Sequence, residues 1–537
     1  MREVDVLVVG GGPAGLTASI LLSRFGVSSL LVERHPGTSI HPKARGINVR
    51  TMEIFRQCGV EDAVRAAGLP PGRARLIVWA RSLAGEELER RVPWRAREEA
   101  AQYSPLRNCL CAQDDLEPVL RRHAESLAPG ALAFDTELTD FAQDATHVTA
   151  TLSGAAGASR VRARYVIAAD GARSRVREAL GIPLRGVPAL YRSINVLLHA
   201  DLTPWTAHRP AALYFIEQPG LKATFLTING VNRWGFLVNN LSPDGAGDEY
   251  TPERCTAVVR QAAGVPDLDV QILGAVPWVA AAQVAERYRG GRVFLAGDAA
   301  HHMPPTGGFG LNTGVQDVHN LAWKLAAVLH GWGGEALLDS YEDERLPYGR
   351  AITEQSLINA RSLGRGGPEA TAAPAPARGR PEFLNELGMI FGTSYESSAI
   401  VPDGTPPPTV ENPITDYRPC ARPGHRAPHV WLARNGMRRS VLDLFGERFV
   451  LLSGAGGGAW CDAARVTASE HGVALDAVRA GADFEDPDDR WRQAWEIERE
   501  GAVLVRPDGQ VAWRSRGEAP EARAELRRVL RRVLSLG

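Results

Sequence analysis

The chain carries no surplus of charge of either sign, so a polyanionic partner has nothing to meet. Lys and Arg number 61 against 62 Asp and Glu, a net charge of −1, and no basic run or patch points to nucleic acid. Cysteine is scarce: Cys58, Cys109, Cys111, Cys255, Cys420 and Cys461 are scattered, with no CxxC pair. That spacing offers neither a disulfide framework nor a thiolate metal cage, and it reads as reduced thiols of a cytoplasmic protein. No apolar stretch is long enough to span a bilayer. Met1-Arg2-Glu3 leads straight into a strand, leaving no room for a signal peptide. A Gly-x-Ser-x-Gly elbow with matching His and Asp is missing, so acyl transfer has no nucleophile. Internal repeats are absent too. What remains is an ordinary hydrophobic content of 44% spread over 537 residues, too long for one core and suited to two or three domains.

Two glycine fingerprints stand out. The first, Gly10-Gly11-Gly12-Pro13-Ala14-Gly15, follows the β-branched run Val4-Asp5-Val6-Leu7-Val8-Val9. Such a run suits a strand buried on both faces. Gly10 permits a tight turn, Gly12 lets backbone approach a pyrophosphate, and Gly15 lets the next helix pack closely. That helix, expected from Ala14 to Phe25, aims its N-terminal N–H groups and positive dipole end at the phosphates. A second strand, Ser28 to Val32, ends at Glu33, eighteen residues after Gly15 and near the spacing for a ribose-binding carboxylate.

The second fingerprint runs Gly297-Asp298-Ala299-Ala300-His301 after Arg292-Val293-Phe294-Leu295-Ala296. It continues Pro304-Pro305-Thr306-Gly307-Gly308-Phe309-Gly310-Leu311-Asn312. The first alone indicates a dinucleotide; the two together indicate FAD held from both ends of one domain. Between them, short aromatic and β-branched segments at 193–200, 212–217, 222–228 and 233–239, separated by Pro, Gly or Asn turns, predict an antiparallel sheet. Long helices are expected over Val315–His330 and through Arg345 to Ala360. The Gly-, Ala-, Pro- and Arg-rich segment 364–381 reads as a flexible surface stretch. A proline-rich segment, 402–413, opens a last domain with strands near 449–452, 502–505 and 511–514 and a closing helix over 521–534.

These residues resemble the class A flavoprotein aromatic hydroxylases, the single-component FAD monooxygenases. Gly10 to Gly15 with Glu33 is similar to the family's nucleotide fingerprint. Asp170-Gly171 with Ser174 and Arg177 is similar to its Asp-Gly motif, and Gly297-Asp298 through Asn312 to its ribityl motif. The likeness continues through Asp317, Asn320-Leu321-Ala322-Trp323-Lys324 and Ser340 to Arg345. Glu411-Asn412-Pro413, Arg422-Pro423-Gly424 and Leu504 to Gly509 resemble the C-terminal domain of the polyketide-hydroxylase branch.

The resemblance implies an α/β fold in three parts. A Rossmann-type FAD-binding domain of the aromatic-hydroxylase fold takes 1–73, 103–185 and 275–398. An antiparallel-sheet substrate domain takes 74–102 and 186–274, and a thioredoxin-like domain takes 399–537. It further implies that Gly10, Gly12, Pro13, Ala14, Gly15 and Gly297 cradle FAD. Glu33 would hold the adenosine ribose, with Arg34 by the adenine. Arg45 and Gln113 would lie on the ribityl-pyrophosphate side, with Asp170 near the pyrophosphate and the nicotinamide route. Asp298 would hold the ribityl hydroxyls, while Pro305, Gly308, Gly310, Leu311 and Asn312 face the flavin, their backbone N–H groups meeting its pyrimidine edge. NADPH or NADH would reduce the flavin, O2 would add to give a C4a-hydroperoxide, and its distal oxygen would pass to a phenolic or polycyclic aromatic, polyketide-like substrate. Because one flavin must meet both the nicotinamide and the ring, the family moves it between an outward and an inward position. Baeyer–Villiger insertion on the same scaffold, or a non-catalytic flavoprotein that shields an aromatic intermediate, fits the same motifs. The Gly-x-Trp-x-Trp-x-Ile-Pro segment of flavin halogenases is absent. No side chain has to act as a nucleophile, so none is named as catalytic, and a monomer or homodimer is expected.

Tyr214, Phe215, Phe225 and Phe236 cluster in the expected sheet and are candidates to line a substrate cavity beside the flavin. His301 and His302 lack a third ligand at metal spacing, so no metal is expected, and they read as lining the flavin region or capping a turn. Ser453 to Gly458 follows a strand but precedes no ribose-binding acid. In a thioredoxin-like domain this loop position often carries two cysteines, whereas here only Cys461 is near.

Overall fold

In the computed structural model, residues 1–93, 101–155, 157–241, 250–365, 380, 382–434, 436–486, 489–518 and 520–537 are described. The segment read as flexible, 364–381, lies largely outside them. The strand Arg2–Val9 forms because Val6, Leu7 and Val8 are wholly buried, each contributing on the order of 1.5–3 kcal/mol when removed from water. It pairs in parallel with Ser29–Glu33 on one side and Gly157–Ala168 on the other, and Val293–Leu295 adds beyond. The chain therefore runs outward in both directions from Arg2–Val9 and Gly157–Ala168. The carboxyl ends of those two neighbours form a topological switch point, where such sheets bind ligands.

A second eight-stranded sheet holds 76–80, 87–91, 184–199, 211–218, 221–227, 233–241, 271–285 and 301–302. It is antiparallel except that Leu76–Ala80 runs parallel to Ala211–Gln218. The chain from 81 to 210 passes through the nucleotide domain, so no hairpin imposes opposite directions. The boundaries expected at 185/186 and 274/275 fall inside the strands Leu184–His199 and Gln271–Ala285, which pair along most of their length. One end of this ribbon (Leu184, Val284, Ala285) belongs to the nucleotide-domain core. The other (Ile194, Val196, Leu198) belongs to the core between the second sheet and the helix Pro252–Ala263.

The C-terminal domain has a four-stranded sheet in the order 475–479, 449–453, 502–505, 511–515, with the first pair parallel and the others antiparallel. With helices Gly458–His471 and Ala522–Val533 this is the thioredoxin-like pattern. Cys461 is buried there, its Sγ 3.2 Å from Ser453 Oγ, and burial pushes its thiol up. A protonated thiol without a neighbouring cysteine exchanges no disulfide. Cys461→Ser is therefore expected to leave the folded protein's content of the FAD that the two fingerprints imply unchanged, as flavin absorbance per protein would show. Loss of that absorbance in a folded variant would contradict this.

Candidate functional site

The two fingerprints meet. A Cβ placed on Gly297 would lie 3.4 Å from Ala14 Cβ, and one on Gly314 3.0 Å from Gly297 Cα, so helices Pro13–Arg24 and Phe309–Leu329 close on the turn Gly297–Ala299. Both helices start on a glycine, Gly12 and Gly308, with no side chain capping the first turn. Their free N–H groups and positive dipole ends are therefore left for something else to satisfy.

The turn at the first fingerprint is closed by contacts that only glycine allows. Gly10 has φ +110° and sits against Ala169 O, where a Cβ would come to 2.2 Å. A Cβ on Gly15 would come to 1.9 Å from Gly10 O. Gly12, by contrast, faces open space within 4 Å. That empty cradle opens beside a cleft lined by Gly10, Glu33, Arg34, Asp170, Arg173 and Arg175. Glu33 accepts Gly11 N–H at 2.7 Å and His35 N–H at 2.9 Å. Burial alone would raise its carboxyl, but these bonds hold it below its ordinary value, so it stays a carboxylate able to accept further hydrogen bonds. Asp170 accepts Val176 N–H through Oδ2, while its buried Oδ1 has no hydrogen-bond partner among the described residues. Burial pushes the Asp170 carboxyl up. An orphaned acid oxygen, an open glycine cradle and two uncapped helix starts fit a dinucleotide diphosphate with its sugar hydroxyls. FAD would thus be held by Gly12 and the first turn after it, by Glu33, and by Asp298.

The remaining expected residues are placed as follows. Arg34 is exposed at the mouth of the cleft. Arg45 donates to Thr227 O at 2.8 Å and Ala212 O at 2.5 Å, bridging its loop to the second sheet. Gln113 opens the helix Gln113–Leu127 and bonds Glu117 Oε1 at 2.6 Å. Asp298 is exposed, and its carboxylate receives no hydrogen bond from the described residues. Pro305 is exposed and Leu311 half-buried, and Gly310 leaves 3.9 Å between an added Cβ and Asp298 Oδ1. The Asn312 side chain clasps the Arg45 loop, accepting Asn48 N–H at 2.9 Å and donating to Gly46 O at 2.9 Å.

The four aromatic candidates divide between the two faces of the second sheet. Tyr214, Phe225 and Phe236 stand opposite one another across neighbouring strands and pack with Cys255 and Val259 of the helix Pro252–Ala263. Tyr214 OH donates to Arg209 O. Phe215 lies on the other face, stacked on Trp79 at 5.1 Å. Its cross-strand row (Thr224, Leu237, Asn195) shares that face with Leu197, which packs on Ala112 beside Gln113. This face looks toward the nucleotide domain. It carries a group with no sequence signal: Arg365, 7% exposed, donates to Thr224 Oγ1 at 3.4 Å and lies over the Tyr191 ring, with no carboxylate partner among the described residues.

His301 and His302 have different surroundings. His301 Nε2 lies 2.9 Å from Asp317 Oδ2, and burial pushes His302 down, toward the neutral form. Among the described residues no group of three or more His, Cys, Asp or Glu could hold a metal ion, and no helix is long and apolar enough to cross a membrane.

The chain belongs to the FAD-dependent aromatic-ring hydroxylases, which are monooxygenases: residues 3–356 match the FAD binding domain family and residues 420–536 the aromatic-ring hydroxylase C-terminal family. Its relatives include polyketide hydroxylases. Aklavinone 12-hydroxylase of Streptomyces purpurascens is 41% identical over 99% of each chain. The crystal structure of the flavin-dependent monooxygenase PieE with FAD and substrate is 38% identical, with a TM-score of 0.92 over 100% of this chain and 99% of that one. The ternary complex of aklavinone-11 hydroxylase with FAD and aklavinone is 38% identical, with a TM-score of 0.90 over the same shares.

Proposed function

We propose that this protein is an NAD(P)H-dependent monooxygenase that hydroxylates a phenolic, polycyclic aromatic compound of the polyketide type. The observation that carries this reading is Arg365. A buried guanidinium with no carboxylate partner among the described residues, on the sheet face turned to the nucleotide domain, suits an anionic oxygen on the ligand. A ring phenol bound there would ionise more easily, and an ionised phenol is the electron-rich form that accepts oxygen at a ring carbon. Phe215 and Trp79, packed with Phe383 in one buried cluster, form the apolar backing of this face.

FAD supplies the oxygen chemistry when bound: reduced by NAD(P)H, it takes up O2 and passes one oxygen atom to the ring. The chain binds and orients. The uncapped start of Phe309–Leu329 offers backbone N–H groups that would meet the negative charge of the reduced cofactor. Arg45 ties that loop to the substrate-side sheet, and the apolar wall excludes water.

Two measurements test the reading. FAD-loaded protein given NAD(P)H, isotope-labelled O2 and a panel of phenolic aglycones should release a product with one labelled oxygen on the ring. A lactone would mark Baeyer–Villiger insertion instead, and tight ligand binding without turnover a shielding role. Arg365→Met should weaken binding of the accepted phenol about tenfold, the value of a hydrogen bond to a charged group. Unchanged substrate affinity in that variant would remove Arg365 from the site.

A further inference from the structure

Asp298 is well placed to meet a ribityl chain, yet nothing on its own side chain holds it there. It sits exposed in the 3-10 turn Gly297–Ala299, with no hydrogen bond to its carboxylate from the described residues. Its position depends on the backbone of that turn, and the turn is held from behind. Asp317, wholly buried on Phe309–Leu329, accepts Gly297 N–H at 3.1 Å and His301 Nε2 at 2.9 Å through Oδ2. One bond holds the residue before Asp298 and the other the residue three after it.

Asp317 is itself fixed. Its Oδ1 accepts Arg345 Nε–H at 2.8 Å, and Arg345 Nη2 lies 2.8 Å from the same oxygen as an ion pair. Arg345 in turn donates to Thr313 O at 3.2 Å and Tyr395 OH at 2.7 Å and lies over the Tyr348 ring. The carboxylate thus receives two donors from the turn, and one hydrogen bond within an ion pair from a guanidinium with no freedom to follow a displaced partner. Asp317 also lies on the helix whose first turn faces the flavin pyrimidine, so one rigid element sets both contacts.

We infer that Asp317 is a positioning residue for the cofactor, fixing the Gly297–Ala299 turn so that the Asp298 carboxylate meets the FAD ribityl chain. The inference rests on the placement of FAD given above. Asparagine in its place keeps the shape but offers one acceptor oxygen, so either the turn or Arg345 faces an amide N–H and is released.

The test is a double-mutant cycle on FAD affinity, with FAD and the apoprotein as the only components and the thermal midpoint of each apoprotein recorded alongside. Asp298→Ala is expected to weaken FAD binding about tenfold or more, and Asp317→Asn about tenfold. In the Asp298→Ala background, Asp317→Asn should weaken it less than about twofold, because the group being positioned has gone. The same fold loss in both backgrounds, or no loss in either, would overturn the inference alone and leave Asp298 at the flavin. Unchanged affinity in Asp298→Ala itself would overturn the inference together with the placement beneath it. If Asp317→Asn does not fold, His301→Leu removes one bond to the turn, leaves the Arg345 pair intact and enters the same cycle with the same expectations.

Discussion

Glu344→Ala is expected to cost about 3–5 kcal/mol and to loosen the C-terminal domain from the rest of the chain. Glu344 is buried at the joint. Its Oε1 accepts Arg506 Nη1 and Ser397 Oγ, each at 2.6 Å. Its Oε2 accepts Arg506 Nη2 at 2.9 Å, Lys324 Nζ at 2.9 Å and Asn320 Nδ2 at 2.6 Å. Asp508 adds a second carboxylate to Arg506 and accepts Trp323 Nε1 at 3.2 Å. Removing Glu344 leaves two cations in the interior with one carboxylate between them. Urea denaturation should show a lower midpoint, with the C-terminal tryptophans reporting an earlier step. A variant within 0.5 kcal/mol of wild type, the ordinary range for a surface site, would show that the joint is held by packing alone.

The same network sets an acid limit. Burial raises the Glu344 carboxyl, but the Arg506 and Lys324 charges outweigh it and hold the group far below its ordinary value of 4.5. Burial pushes the Lys324 ammonium down to about 8. Because the folded carboxyl titrates lower than the unfolded one, its contribution is complete above the unfolded value and is lost as pH falls below it. Wild type should lose stability below about pH 4.5, with Glu344 alone adding about 1.4 kcal/mol per pH unit to the slope. Glu344→Gln should flatten that slope by one proton; an unchanged slope would assign the acid limit to other groups.

The second large effect is at the first fingerprint, where two substitutions of one methyl group should separate folding from binding. Gly15→Ala drives a Cβ to within 1.9 Å of Gly10 O, so the turn must open. FAD affinity should fall by about 100-fold or more, ~2.7 kcal/mol, along with stability. Gly12→Ala meets nothing within 4 Å, so the apoprotein should keep its thermal midpoint while the methyl occupies the phosphate cradle and FAD is lost. The visible flavin absorbance per protein after gel filtration reads both. Full flavin content in Gly12→Ala would place the diphosphate elsewhere.

How much of this was legible in the sequence depended on range. Local signals carried well. The strand before Gly10, the acid at Glu33, the helix Gln113–Leu127 and the closing helix Ala522–Val533 each announce themselves within about a dozen residues. The helix expected from Val315 begins at Phe309, because Gly310 and Asn312 read as loop while tertiary contacts, including the Asn312 clasp, make them the first turn. Sheet faces were harder. Ala211-Ala212-Leu213-Tyr214-Phe215-Ile216 is apolar on both sides, so alternation cannot say which aromatic looks at the flavin, and a one-residue slip exchanges Tyr214 and Phe215. The Asp317–Arg345 and Glu344–Arg506 pairs span 28 and 162 residues and leave no periodic trace. Arg365 has no sequence signal because its place beside Thr224 and Tyr191 is set by contacts about 140 and 170 residues away.

The long ribbon of Leu184–His199 and Gln271–Ala285 has a mechanical consequence. Each strand extends about 50 Å at ~3.3 Å per residue, rooted at one end in the nucleotide-domain core and at the other in the core of the second sheet. Backbone hydrogen bonds along it resist bending as a girder does. The ladder is broken only where the register shifts, between Val187 and Tyr191 and at Leu197/Leu198, so any bend between the two cores is confined to those short stretches. Movement elsewhere is left to short loops such as the one bearing Arg45.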